Sequence, residues 1–474
     1  MGIDLTVDEV IKLWDSKQDR RNVQKGRVDY YNGIQAILEE AGTRKTDGET
    51  KNKVITNWIK YIVDSHVGFC MTNPVKYTLS KVDADQTALR EFMKMVRDSG
   101  ISALDMEHYL NCVLEGFSVE VHSFDGENIG IDIYGPQGWA FVYDQDGVMQ
   151  GAILKVEIEE GTLFRGRITQ EPIDHYTVYD DRKIVSFMIE SPEHRFAQPS
   201  NIEITEHKYG QMPIVVFSVS SDDRSFIGED IISQQDIWNS VRSSNADDVI
   251  FNVDSLLWIN GYSPNALYQL DNDGKSYIQK MREDKIITTN REDAVVKFLD
   301  RGNAPQKVEF DMKVTRSDIH MMARVADIHT IVGSTGRASG IALKLKLQPQ
   351  IEQAGIFTKY FEMGLRSRIN LINRVWSVLQ MPVLEDYEVK FDLNIPVDEM
   401  EIWKALPLIA PFMSLESILR HIPSIKDPNE EADLKRKEQL NQMELQLEFA
   451  GRANEQKEES GDDDDSGEGQ QSTD

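Results

Sequence analysis

The stretch that most constrains this chain is an apolar-periodic run that opens on a glycine break. From Ser339 the residues read SGIALKLKL, and beyond them Phe357, Phe361, Leu365, Ile369, Ile372 and Trp376 recur at spacings of four, four, four, three and four. That rhythm puts the large side chains on one helical face, which must be buried against something. A helix from Ser339 to Leu379 is roughly 60 Å long at about 1.5 Å per residue, longer than an ordinary globular domain needs. Pro349 lies inside the run, lacks the amide proton of a helix interior and crowds the preceding turn, so a bend or a broken turn is expected there. The fold must hold either a kinked helix or one that spans a large assembly.

Upstream, the pattern changes character twice. Thr6 to about Ser118 reads mainly helical: Val7, Val10, Ile11 and Trp14 open an amphipathic helix, Ile55, Ile59, Ile62, Val63 and Val67 supply a later one, and 42–52 is a loop. From Val119 to Phe217 short, partly alternating runs replace it, at Ile131–Tyr134, Trp139–Tyr143, Ala152–Ile158, Thr162–Ile168, His175–Val178 and Ile184–Ile189. Gly, Asp and Asn turns separate them, which predicts an antiparallel sheet packed on the first helices. A second helical region starts near Gly228 with Ile231, Ile232, Ile237, Trp238 and Val241. It leads to a strand-like segment at Leu256–Ile259, a polar excursion to Pro305, and a helix expected over Thr315–Val332. Gly333 to Gly340 is a flexible turn in which Ser339 can cap the long helix. After that helix, Leu406, Leu408, Ile409, Phe412, Leu415, Ile418 and Leu419 predict helix broken by Pro407 and Pro411, and a last, charged helix runs through Leu447. Beyond Gly451 the apolar register stops, and Asp462–Asp465 among Gly, Ser and Gln predicts a disordered tail.

Composition excludes several functions. The 474 residues can bury a substantial core in two to four domains. A formal charge of -28 argues against tight wrapping of DNA, which draws on clustered Lys and Arg, yet an acidic wall lets a polyanion slide past without sticking. Cys70 and Cys112 read as buried free thiols. The amino-terminal residues lack a signal-peptide pattern, and no run approaches the about 18 apolar residues of a membrane span, so the chain reads as soluble and intracellular at synthesis. There is no GxxxxGK[ST] phosphate cradle and no Gly-x-Ser-x-Gly elbow. His320, Asp327 and His329 do not have the spacing of a helical zinc site. The calcium-loop-like fragments from Asp144 and Asp271 lack the glutamate of an EF-hand and read as turns. No metal and no cofactor is expected, and the chain is not expected to be an enzyme.

The order of several segments carries a resemblance. Asn57 to Phe69 followed by Asn73-Pro74-Val75, then Phe141-Val142-Tyr143-Asp144, Gly210 to Phe217, Ser339-Gly340 with Ala342-Leu343-Lys344, and Val389-Lys390-Phe391 with Pro396 together resemble portal proteins of tailed bacteriophages, in the family whose best-known member comes from phage SPP1. The resemblance implies an α+β, multidomain portal fold. Its parts would be a helical and β-rich wing over 1–227, a first stem helix over 228–253, a small α/β clip over 254–310 and a second stem helix over 311–332. A tunnel loop over 333–340, a long wing helix region over 341–385, a crown over 386–450 and an acidic tail over 451–474 would follow. It makes Arg337 the first candidate to touch DNA in the channel, with Ser339 in the same loop, and leaves Lys344 and Lys346 open to either DNA or a neighbouring subunit. It implies a homo-oligomeric ring of about twelve subunits, closed by a heterologous interface. Double-stranded DNA in transit, the terminase large subunit, a head-completion adaptor, and major capsid and scaffolding proteins are the partners it implies, with no membrane. The location implied is the portal vertex of the virion capsid, reached through the host cytoplasm during assembly. A smaller head-tail adaptor ring, a metal-dependent nucleic-acid enzyme and a cellular helical scaffold are the other readings.

Overall fold

The computed structural model describes residues 5–39, 52–81, 86–159, 161–164, 167–168, 172–190, 199–207, 209–253, 257–260, 268–270, 274–276, 279, 295–298, 305–327, 340–395, 411, 413–419, 422, 425 and 431–445. They form a mixed α/β molecule that divides into two compact units, Met1–Ala338 with Leu343–Asn394, and Ser339–Ala342 with Ile395–Asp474. Among the described residues no helix is long and apolar enough to cross a membrane.

The larger unit opens on helices α1 (Val7–Asp15), α2 (Gln18–Tyr31), the short α3 (Ala36–Glu39), α4 (Trp58–Met71), α5 (Thr87–Asp98) and α6 (Ile101–Glu115). Thr6 starts α1 with a capping box: its side chain accepts from the Glu9 amide while the Glu9 carboxylate accepts from the Thr6 amide. Strand β1 (Lys76–Leu79) interrupts this helical region and pairs antiparallel with β14 (Tyr387–Lys390), Lys76 opposite Lys390.

The predicted strands are present. A five-stranded antiparallel sheet has the order β10 (Ser200–Glu206), β9 (Lys183–Glu190), β8 (Ile173–Tyr179), β5 (Met149–Ile158), β4 (Trp139–Tyr143). The segment expected as one strand over 162–168 is a hairpin of β6 (Leu163–Phe164) and β7 (Arg167–Ile168). A second sheet has the order β11 (Ile214–Ser218), β2 (Phe117–Phe124), β3 (Ile129–Tyr134). Alternation along β4 and β5 divides the interior. Ala140 and Ile153 pack under α1 with Val10, Trp14, Tyr176 and Phe187. Trp139, Phe141, Ala152 and Leu154 face Phe117, Val119 and Val121 of the second sheet. Period-two side-chain direction thus lets one sheet serve two cores. The fragment at Asp144 is a turn, its carboxylate accepting from the amides of Asp146 and Val148. The fragment at Asp271 lies outside the described residues.

Helix α7 (Glu229–Val253) follows, then β12 (Leu257–Asn260) paired with β13 (Val295–Phe298), then α8 (Pro305–Met322) and α9 (Gly340–Val378). Helix α8 lies ten residues earlier than the periodicity suggested. Pro305 suits a first helical turn, and Arg324 closes the helix with φ 49° while Ala323 and Arg324 bond back to Ile319 and Met321. Val325 and Ala326 continue the apolar rhythm past this stop, which is why the sequence places the helix too late. Helix α9 is continuous through Pro349, and Phe361, Leu365, Ile369, Ile372 and Trp376 are buried as their spacing required. Gly364 lets this helix approach β11, because a side chain there would collide with the ring of Phe217.

In the smaller unit, α10 (Leu415–Leu419) and a helix over 431–445 share a core of Leu419, Ile422 and Ala432, with Ile418 and Ile425 against it. Leu440, Met443 and Leu445 on the last helix are exposed. The acidic tail lies outside the described residues.

Candidate channel helices and their anchor

The α7–α8 pair is held to the rest of its unit by an unusual set of bonds. Gln235, Asn239, Ser243 and Asp247 recur every four residues on α7. Their side chains accept from the backbone amides of Trp58, Thr56, Val54 and Asn52, at 2.8, 3.2, 2.9 and 2.8 Å. Alternate amides of the 52–58 segment therefore run antiparallel to the helix, one rung per helical turn. Gln235 also donates to the Thr56 carbonyl at 2.7 Å, and Asn239 donates to the Gln35 side chain. Gln235, Asn239 and Ser243 are fully buried, so each bond satisfies a side-chain acceptor that water cannot reach.

Where this strap ends, Trp58 of α4 joins both helices. Its ring meets Trp238 of α7 edge-on at 5.2 Å and His320 of α8 at 5.6 Å, with the Arg316 guanidinium 5.6 Å from its centroid. Arg316 also donates to Asp327 at 2.7 Å, and the Ala326 amide donates to Gln350 of α9 at 3.2 Å, so the chain leaving α8 is tied to the long helix. Towards its amino-terminal end α8 draws away from this cluster. Ile319 is fully buried, whereas Val308 and Met312, on the same face, are half-buried and line a groove of about 320 Å³ with Trp238, Asn245, Glu309, Lys313 and Arg316. The Trp238 indole nitrogen and Arg316 Nε are buried with no acceptor among the described residues.

The long helix has its own anchor. Arg368, 1 % exposed, donates from Nε to both Glu120 oxygens at 2.8 and 3.1 Å and from Nη1 to Asp105 at 2.5 Å. Glu120 and its neighbours Ser118 and His122 occupy the face of β2 opposite Phe117, Val119 and Val121, so this strand is buried on both sides. His108 of α6 reaches Glu120 at 3.1 Å and Ser118 at 2.8 Å, and His122 also bonds Glu120. Burial alone would raise the Glu120 carboxyl, but the Arg368 charge and the two imidazoles hold it well below its ordinary range. Burial lowers His108 and keeps it neutral, so its Nε2–H donates to the carboxylate and Nδ1 accepts from the Ser118 hydroxyl. Burial pushes Asp105 up although Arg368 opposes it. Nearby His66 stacks on Phe226 at 5.0 Å, and burial lowers it to about 4. Its neighbour Cys70 is pushed up to about 12, again by burial, which makes it an inert thiol. Both cysteines are free and buried, as expected.

Of the residues proposed to meet DNA, Arg337 and Ser339 lie outside the described residues, as does His329. Lys344 and Lys346 are exposed on the first turns of α9. His320 is buried, its Nδ1 bonded to the Val325 carbonyl at 3.0 Å, and it packs with aromatic rings. Among the described residues no three His, Cys, Asp or Glu side chains are grouped as a metal site. The strap acceptors and the Arg368 cluster are the positions sequence reasoning missed. Gln235, Asn239, Ser243 and Asp247 did carry a signal, a polar i, i+4 series beside Ile231 and Trp238.

A search of curated proteins finds no match for this chain. A family model, described as "Phage portal protein, SPP1 Gp6-like", matches residues 12–445. That span includes every strand, the α7–α8 pair with its insertion, and the long helix. The chain therefore belongs to the SPP1 Gp6-like phage portal proteins, the family of the oligomeric ring through which a viral capsid packages DNA.

Proposed function

We propose that this chain is the subunit of a closed ring of about twelve copies, with heterologous contacts between neighbours, that sits at one capsid vertex and conducts DNA inward during packaging and outward during ejection. Family membership over 12–445 is the observation that carries this reading. The order of elements supports it: α7 leads out, the short β12–β13 pair lies between, α8 leads back, and α9 follows with 39 residues. In this reading α7 and α8 are the stem helices and the segment between them is the clip, which docks the terminase large subunit first and the head-completion adaptor later. The preceding sheets and helices, with α9, form the wing, and the smaller unit forms the crown, facing the capsid interior with its acidic tail. Scaffolding and major capsid proteins surround the wing. Arg337, Ser339, Lys344 and Lys346 contribute the sparse positive contacts of the tunnel loop and the start of α9.

The subunit performs no bond chemistry in this scheme. ATP hydrolysis belongs to the motor docked outside, and the ring contributes shape and electrostatics. With 80 acidic against 52 basic residues, the channel subunit repels rather than holds the phosphate backbone, so DNA moves without the counterion-release attraction that would trap it. Electron-microscope class averaging of the full-length protein, with its solution mass, tests the reading. Closed rings with an axial hole are expected. A uniform monomer or small dimer across salt and magnesium concentrations would overturn it in favour of an adaptor or a metal-dependent enzyme.

A further inference from the structure

We infer that α8 supplies both halves of a contact between neighbouring copies: an apolar ridge of Phe310, Val314 and Met321 on one copy enters the α7–α8 groove of the next. The inference rests on the ring reading and names the residues that close part of the ring. On α8 the three ridge side chains are 65, 41 and 68 % exposed, high values for Phe, Val and Met. At about 100° per residue they share one stripe, and Val308, Met312 and Arg316, which line the groove, lie roughly 180° away on the opposite side of the helix. A subunit with a ridge on one side and a groove on the other cannot satisfy both by twofold pairing. It satisfies both by head-to-tail repetition, the arrangement that closes a ring.

The chemistry of the two surfaces matches. The groove offers the Trp238 and Met312 side chains and a volume of about 320 Å³, enough for one aromatic side chain. Glu309, Lys313 and Arg316 form its polar rim, and Lys307 lies with Asp311 and Asp318 beside the ridge, so the apolar surfaces carry the match. Lys313 is bonded to Glu309 at 2.8 Å and Arg316 to Asp327 at 2.7 Å, so both cations are held in place within their own copy. The occupant is therefore a second copy of this chain, because the apolar stripe and the groove are presented by opposite sides of the same helix.

Paired cysteines test this directly. Phe310 and Met312 point to opposite sides of α8, so a Phe310→Cys/Met312→Cys chain cannot close a disulfide within one copy. Native Cys70 and Cys112 are buried and do not compete. Mild oxidation of assembled protein is expected to give a ladder of covalent multimers for the double variant, with none for either single variant. In parallel, Phe310→Ser is expected to fold normally, because the side chain is exposed, and to lower the ring fraction in sedimentation at least about tenfold, the scale of losing an aromatic anchor. Rings that form in both variants with no ladder and no change in ring fraction would overturn the inference and leave the ring reading intact. Wild-type protein that never forms rings would overturn the ring reading itself.

Discussion

The Arg368 cluster and the α7–α8 pair solve opposite problems with the same side-chain types. Around Arg368 the charged groups meet within the chain: one guanidinium bonds both Glu120 and Asp105, and His108 and His122 add bonds to Glu120. In the α7–α8 pair the strap is satisfied, but α8 leaves a groove and an exposed apolar stripe. A region buried within one chain fixes a fold. A region left incomplete within one chain is suited to being finished by another copy. A buried ion cluster is costly to assemble, and removing its one cation is costlier still, because the carboxylates stay buried.

Breaking the complete region is expected to have the largest effect. Arg368→Met leaves Glu120 and Asp105 buried without a cation and should lower subunit stability by about 3–5 kcal/mol, read as a fall in thermal midpoint or loss of soluble protein. An unchanged midpoint would show that the cluster is relaxed in solution. Next comes the strap. Asn239→Ala orphans the Thr56 amide and the Gln35 side chain and should cost about 2 kcal/mol, with faster hydrogen exchange at Thr56 than at strand amides of β5.

Titration sharpens the comparison at intermediate cost. Burial pushes Glu115, at the end of α6, up to about 7 from 4.5, so the folded state holds a proton that the unfolded state has released. Stability from that proton is full below about 4.5 and is lost as pH rises through about 7. Glu115→Gln should abolish this loss and gain roughly 1–3 kcal/mol over wild type at alkaline pH, measured by denaturant unfolding across the range. His66 acts on the other side: lowered to about 4 from 6.5, it contributes stability present above 6.5 and lost as pH falls toward 4. Its replacement by Gln should flatten the acid limb alone. The smallest effect on the subunit is expected from Phe310→Ser, within about 0.5 kcal/mol, since its ring is already in solvent. If it destabilised the isolated subunit as strongly as Asn239→Ala, the ridge would be part of the fold and not an interface.

Much of the fold was legible in the sequence because its periods are clean. The long helix announced its buried face through Phe361, Leu365, Ile369, Ile372 and Trp376, and strand β4 matched its predicted bounds. Pro349 did not break the helix; it is exposed, where the ring and the missing amide bond face solvent instead of a packed neighbour. Strand β2 shows why other features were hidden. FSVEVHSF reads as a half-exposed strand with its polar side to water, yet Ser118, Glu120 and His122 face inward because Arg368, some 250 residues later, meets them. Pairing of β1 with β14 is similarly non-local, and nothing near Lys76 names Lys390 as its partner. The tunnel-loop reading of 333–340 rests on family resemblance alone, since a short run of Gly, Ser and one Arg has no period to read, and residues 333–339 lie outside the described residues.

The strap along α7 behaves like a vernier. Four residues of helix advance about 6.0 Å, whereas two residues of extended chain advance about 6.6 Å, so the two scales drift by roughly 0.6 Å per rung. Side chains of different reach, Gln235, Asn239, Ser243 and Asp247, take up that drift over the rungs present. The same mismatch sets the tolerance of the joint. One residue inserted between Asn52 and Trp58 turns the amides beyond it away from the helix, while two carry them on to the next turn. Chain length in this short segment thus fixes which turn of the helix each amide meets.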